Sequence, residues 1–213
     1  MIRLGIKKIL LLVLLLWGFH LQAQVFRTGL IGGISGAQVE GDGFGGYKKL
    51  GFIAGGYAGF DVAEKWSTQF EIYYIGKGSQ KNPRPDKGDY RYFKLNLNYI
   101  EVPVVLRYHY QKFRFEMGLY YGVLLSYYIE DEFGVRFIQN YPFKKGDFGG
   151  LIGVSYQLNE HFSFNLRSKN SIIPIRDFLN KDANIGILNK LFNRGWYNVD
   201  LNFTLRYHFG KNN

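Results

Sequence analysis

Beyond residue 24 the chain has three histidines, His109, His161 and His208, the side chains best suited to exchange a proton near neutral pH. With a serine or aspartate nearby, any of them could activate a nucleophile or a water. Each falls beside a short connection or near the C-terminus, and they lie on three different predicted strands. That dispersion argues against a shared metal ion and against a single catalytic centre. The run Gly41-Asp-Gly-Phe-Gly-Gly46 has the glycine density of a phosphate-binding loop but neither a Lys-Ser/Thr pair nor a following helix, so it reads as an external loop. Asn82-Pro-Arg-Pro85 reads as an exposed turn. The absence of cysteine excludes disulfides and thiol chemistry. No catalytic residue, cofactor or metal site is expected, and the chain is not expected to be an enzyme.

The chemistry that remains is electrostatic. Arg27, Arg107, Arg114, Arg167 and Arg206 fall on the same rows of alternating segments as Asp61, Glu71, Glu101, Glu116 and Asp200. Five cations against five anions suggest a compensated network, provided that these rows face one confined interior.

The segments that would position them are strands. From Tyr197 to Phe209 apolar and polar residues alternate without a break, and Phe113–Tyr127 repeats the pattern. Eight strands are predicted, at about 25–35, 50–62, 66–77, 95–110, 112–128, 147–158, 161–173 and 195–209. Short links at 63–65, 111–112 and 159–160 alternate with long ones at 36–49, 78–94, 129–146 and 174–194. Tight turns at one end and long loops at the other describe an all-β, eight-stranded antiparallel up-and-down transmembrane barrel, its apolar rows toward lipid and its charged rows in a narrow lumen. Such a lumen is filled by side chains, and charges within it must pair; a plugged interior is the expectation and a conducting small-solute pore the rival. In the fourth strand the apolar phase passes from Leu95, Leu97 and Tyr99 to Ile100, Val102 and Val104. One inserted residue near Tyr99–Ile100, a β-bulge, would explain it, and Pro103 should leave a gap in the ladder.

Composition agrees with a barrel: 18% aromatic, 27 glycines, 5 prolines and a mildly negative mean hydropathy of -0.16. Arg3, Lys7 and Lys8, the apolar run Ile9–Phe19 and Ala23 have the three regions of a signal peptide, 1–23, and 24–213 form the barrel domain. The apolar run is shorter than the roughly 20 residues of a spanning helix. Export by a cleavable signal to the cell outer membrane is expected. Of the formal charge of +10, three units lie in that signal. In an exported β-protein the excess points to outer-membrane lipids and lipopolysaccharide, not to nucleic acid. The segments Lys77–Lys94 and Arg167–Arg194 each carry a net +4 and are the expected contacts with lipid phosphates. A monomer is expected, with envelope proteins as further possible partners.

Asn98-Tyr-Ile-Glu-Val-Pro-Val-Val-Leu-Arg-Tyr108, Phe115-Glu-Met-Gly-Leu-Tyr-Tyr-Gly122 and Gly149-Gly-Leu-Ile-Gly-Val-Ser-Tyr156 resemble the PorT-like outer-membrane β-barrel family of Bacteroidota, as does the Gln-Ala-Gln at the end of the signal. The resemblance runs from about Val25 to Phe209 and centres on Tyr99, Glu101 and Pro103. It implies an eight-stranded outer-membrane barrel, with no catalytic role for the motif. The family's namesake is needed for type IX protein secretion, so membership of that machinery is the alternative to a structural or interaction scaffold. Glu101 is expected to turn inward, beyond the bulge, toward a lumen arginine.

Overall fold

In the computed structural model, which describes residues 26–138, 142–177 and 195–210, the alternation becomes two faces of one closed sheet. The strands are β1 (Arg27–Glu40), β2 (Lys49–Ala63), β3 (Trp66–Lys81), β4 (Phe93–Tyr110), β5 (Phe113–Glu130), the two-residue β6 (Arg136–Phe137), β7 (Gly146–Gln157), β8 (Phe162–Ser171), the two-residue β9 (Arg176–Asp177) and β10 (Gly195–His208). Eight long strands pair antiparallel in sequence order, and β1 closes on β10 from Gly29↔His208 to Glu40↔Tyr197. Closure leaves no unpaired edge, the condition for crossing lipid with strands. β6 and β9 only extend the rim, against β5 and β10. The predicted signal, 1–23, lies outside the described residues, as does most of the fourth long connection.

Phe52, Phe70, Ile72, Phe115, Met117, Ile152, Phe164 and Phe203 stand exposed on the outer wall, while their sequence neighbours are turned inward. Toward the short turns this wall carries paired rings: Trp66 with Tyr108, Phe113 with Tyr156, and Phe162 with Tyr207, at centroid distances of 5.0, 5.1 and 5.3 Å. Inside, three tyrosines lie opposite inward-facing glycines of the adjacent strand, in the pairs Gly29↔Tyr57, Gly55↔Tyr73 and Gly149↔Tyr120. Where a Cβ would meet the tyrosine or the neighbouring backbone, glycine leaves room for the ring against the wall.

The inserted residue is not where the phase change in β4 placed it. Odd positions of β4 face inward without interruption, so Leu95, Leu97 and Tyr99 are buried in the same interior as Glu101 and Arg107. The register shift is on β5 instead: Asn98 pairs with Ser126 and Tyr99 with Leu124, which makes Leu125 the extra residue. Beyond it Tyr127 and Ile129 turn inward, whereas uninterrupted alternation kept Tyr127 on the outer face. The physical reason is that the interior changes from polar to apolar with height, and an apolar interior layer reads in sequence like a change of face. Pro103 does interrupt the ladder: β3–β4 pairing passes from Phe70↔Val104 to Tyr73↔Glu101.

That apolar layer joins Val39, Ile75, Leu95, Leu97, Ile129, Phe143 and Ile175, with Tyr127 and Trp196 packed against it. The connections ending β5 and β8 meet over it. Lys144 N donates to Ile175 O, and Ile175 N to Trp196 O, both at 2.8 Å, and the Arg176 guanidinium lies 4.6 Å from the Trp196 ring and 5.2 Å from Phe143.

Candidate functional site: the charged interior

Below the apolar layer the inward residues form two charged tiers. The tier nearer the short turns comes from β3, β4, β5, β8 and β10. Arg167 holds Glu71 at 2.6 Å and Glu116 at 2.7 Å; Arg107 Nε lies 3.0 Å from Glu116, and Arg206 Nη1 3.2 Å from Glu71. Gln69 and Asn165 donate to the same carboxylates, at 2.7 and 2.8 Å. All five ionic residues are buried. Fork-like arginines suit this place, since one guanidinium can satisfy several carboxylate oxygens at once.

The upper tier is built on lysine. Lys77 Nζ lies 2.6 Å from Glu101, 3.1 Å from Asp147 and 3.0 Å from Asp200, and Lys169 pairs with Glu101 and lies 3.7 Å from Asp200. Tyrosine faces flank both ammonium groups: Tyr120 is 4.6 Å from Lys77 and 4.1 Å from Lys169, and Tyr73 is 5.4 Å from Lys169. Asn198 and Ser171 donate to Asp147 at 2.9 and 2.6 Å. Three arginines with two glutamates below, and two lysines with three carboxylates above, leave opposite single excesses that offset between the tiers.

The predicted charged residues therefore divide. Glu71, Arg107, Glu116, Arg167 and Arg206 meet in the lower tier, and Glu101 and Asp200 in the upper one. Arg114 is buried against Gln157 at the short-turn end, and the Arg27–Asp61 pair sits apart from the tiers at the partly exposed rim. Glu101 turns inward, but with no inserted residue before it, and meets Lys77 and Lys169 instead of an arginine. Tyr99 is fully buried above it and Pro103 also faces inward. Three members of the upper tier escaped sequence reasoning. Lys77 and Lys169 count among the charges of the basic segments Lys77–Lys94 and Arg167–Arg194 although both fall within predicted strands, 66–77 and 161–173, and glycines blur the alternation around Asp147. Signals for the two lysines existed: they continue the inward rows Glu71-Tyr73-Ile75 and Ser163-Asn165-Arg167.

This corrects the loop charge. Lys77, Arg167 and Lys169 are interior, not lipid-phosphate contacts. Of the remaining second-loop cations, Lys81 and Arg91 pair with Asp89 at 2.6 and 3.0 Å, which holds that carboxyl below its usual range, and Lys94 pairs with Glu130 at 2.7 Å. Arg84 and Lys87 are the cations of the exposed tip.

At the short-turn end His109 Nε2 lies 2.7 Å from Ser67 Oγ, and His208 bridges Ser163 Oγ, at 3.0 Å, and the Tyr57 hydroxyl. Serine–histidine contacts thus exist, but among the described residues no carboxylate is bonded to either imidazole, and arginines surround both. A cavity of about 10 Å³ lined by Arg27, Tyr57, Asp61, Arg107 and His208 lies there, and another of about 10 Å³ borders Glu71, Asn202 and Arg206. No group of three metal-ligating side chains occurs among the described residues.

The rim pair offers an internal contrast. Arg27→Ala removes a charge pair between partly exposed side chains, where pairs are worth about 0–1 kcal/mol. Denaturant unfolding in lipid vesicles should give a midpoint almost unchanged from wild type.

Residues 22–177 match the family model described as "Outer membrane protein beta-barrel domain". Among solved structures, Neisserial surface protein A is similar at a TM-score of 0.50 and 13% identity, covering 85% of this chain and 96% of its own. Ail, the attachment invasion locus protein of Yersinia pestis, aligns at 0.48 and 9% identity, covering 86% and 99%, and OprG of Pseudomonas aeruginosa at 0.36 and 15%, covering 87% and 94%. No curated protein matches the sequence.

Proposed function

Since the chain belongs to the outer membrane protein β-barrel domain family, we propose that it works in the outer membrane as a non-enzymatic scaffold whose lumen is closed and whose contacts are made by its outer wall and long loops. The observation carrying this reading is the charged interior: cations and anions of the two tiers hold one another, and the cavities beside them, about 10 Å³ each, have at most room for a single water. The apolar layer and Arg176 stack above them form a second closure toward the long loops.

The same confinement speaks against catalysis, because Ser67 and Ser163 are buried beside their histidines with no space for a substrate. Tyr99, Glu101 and Pro103 face the interior, which takes from them any direct docking role toward a secretion machinery. Outer-membrane lipids, lipopolysaccharide phosphates included, are the proposed neighbours of the wall and of the Arg84–Lys87 tip; the working unit is a monomer, delivered by the signal at 1–23.

Planar-bilayer recording tests the closure. The purified mature protein should insert, as judged by protease protection in parallel vesicles, and remain electrically silent. Sustained unitary currents after verified insertion would overturn the closed lumen and favour the small-solute pore.

A further inference from the structure

Among the described strands, β8 carries a polar step in its outward row. On β4 the outward row stays apolar or aromatic from Tyr110 through Ile100, and on β5 from Phe113 through Leu125. On β8 it stops after Phe162, Phe164 and Leu166, giving way to Ser168 and Asn170, and then Ile172 and Ile173 are exposed above them. Neighbouring strands do not share the change: Ser168 lies between Ile152 and Leu201, and Asn170 between Gly150 and Val199. Counted from the short turns, Asn170 is eight residues up β8, whereas the apolar row on β4 persists to the tenth. A hydroxyl and a carboxamide therefore stand at a height where β4 and β5 present apolar residues; Thr68, a polar residue in the outward row of β3, by contrast donates to Val105 O at 3.4 Å. Neither the Ser168 nor the Asn170 side chain is hydrogen-bonded to another described residue, and an amide left unpaired in hydrocarbon is costly.

The two residues edge a groove of about 560 Å³, with Gly150 as its floor and Met117, Leu119, Ile152 and Ile172 as apolar sides. Gly150 has ordinary extended backbone, and a Cβ there would meet only Ile172 Cδ1 and Gly118 O, at 3.8 and 3.9 Å. The backbone thus does not demand glycine at this position; its effect is to keep the groove open. A second copy related by a two-fold axis along the membrane normal would set groove against groove, two concave surfaces that cannot fill each other. A slender, convex, apolar occupant fits, and the solvent of this wall is made of such chains.

Resting on the reading that the wall spans the membrane, we infer that the β5–β7–β8 groove seats one acyl chain of an outer-leaflet lipid, with the ester or amide carbonyl at the head of that chain accepting hydrogen bonds from Asn170 Nδ2 and the Ser168 hydroxyl. Leu119 and Ile152 line the chain along its length, and Gly150 lets it lie against the backbone.

Photocrosslinking tests the site. The mature protein in phosphatidylcholine nanodiscs carries a few per cent of phosphatidylcholine with a diazirine in mid-chain, and adducts are mapped by mass spectrometry. Labelling should concentrate several-fold on peptides bearing Met117–Leu119 and Gly150–Ile152 over the control wall at Phe70 and Ile72. Gly150→Leu, which fills the groove, and Asn170→Leu, which removes the donor, should each abolish the excess while leaving the control wall unchanged. Folding is checked by the gel shift between unheated and boiled samples, and Asn170→Leu stands alone should Gly150→Leu misfold. Uniform labelling around the folded barrel, or an excess untouched by Asn170→Leu, would overturn the groove site alone. Absence of labelling on every wall would instead remove the membrane-spanning reading beneath it, and a groove labelled less than the control wall would replace the lipid with a second copy.

Discussion

Arg167→Met should lower the stability of the barrel by about 3–5 kcal/mol, the usual consequence of removing one partner from a buried ion pair. Arg167 is the only residue holding Glu71 and Glu116 together through hydrogen bonds of 2.6 to 2.7 Å among the described contacts, and all three are buried. Its loss leaves Glu71 with Arg206 and Gln69, and Glu116 with Arg107, Asn165, Ser155 and, at 3.8 Å, Arg206, one positive charge fewer in the same enclosed space. Equilibrium unfolding in guanidinium, followed by tryptophan fluorescence of the protein refolded into vesicles, measures the change. Adding Glu71→Gln should recover a substantial part of the loss, because it restores the balance of charge across the two tiers, four cations against four carboxylates. A shift below about 1 kcal/mol for Arg167→Met, no larger than an exposed pair gives, would show that water reaches this tier and that pairing there is not structural.

Gly149→Ala is the second severe change, although it adds one methyl group. Its Cβ would overlap both the Tyr120 ring and the carbonyl oxygen of Asn170 on the next strand. The backbone cannot give way without breaking the β7–β8 ladder, so Tyr120 must leave the wall. It then moves into the space of Lys77 and Lys169, whose ammonium groups lie 4.6 and 4.1 Å from its ring. Overpacking of this kind costs roughly 1–3 kcal/mol, and displacement of the buried ion cluster adds to it. The expected result is a low yield of heat-modifiable, folded protein, read on unheated gels. Tyr120→Leu in the Gly149→Ala background should restore folding in part, since the smaller side chain removes one of the two overlaps; no recovery would place the damage wholly in the backbone.

Much of this architecture was legible as periodicity. Eight long strands, their order, the alternation of short and long connections and closure could be read because every strand faces two different media, and the polarity contrast repeats every second residue. Glu71, Glu101, Glu116, Asp200, Arg107, Arg167 and Arg206 were read by the same contrast, while Asp147 was not. It failed where the contrast failed. Leu95 and Leu97 face an apolar interior layer, so β4 mimicked a change of face, and the extra residue is Leu125, hidden in a run of apolar residues on β5. Lysines misled in another way: Lys77 and Lys169 close to predicted strand ends look like loop charges, and only three-dimensional closure brings them to Glu101, Asp147 and Asp200. Partner identities in a barrel are set by register across strands far apart in sequence, which no local pattern encodes.

The two tiers draw on β3, β4, β5, β7, β8 and β10. β1 and β2 bring none of the tiers' charges; they offer Ile31, Ile53, Tyr57 and glycines, and their own charged pair lies at the rim. Mechanically the cylinder is cross-braced over most of its circumference and unbraced across one hairpin. Shear between braced strands must drag opposite charges apart, whereas the β1–β2 hairpin is held by packing contacts, its ladder bonds and two side-chain hydrogen bonds, Ser35 Oγ to Gly76 O and Tyr57 with His208. The barrel is a stiff cylinder with one compliant panel, and any deformation imposed by the surrounding membrane is taken up there first.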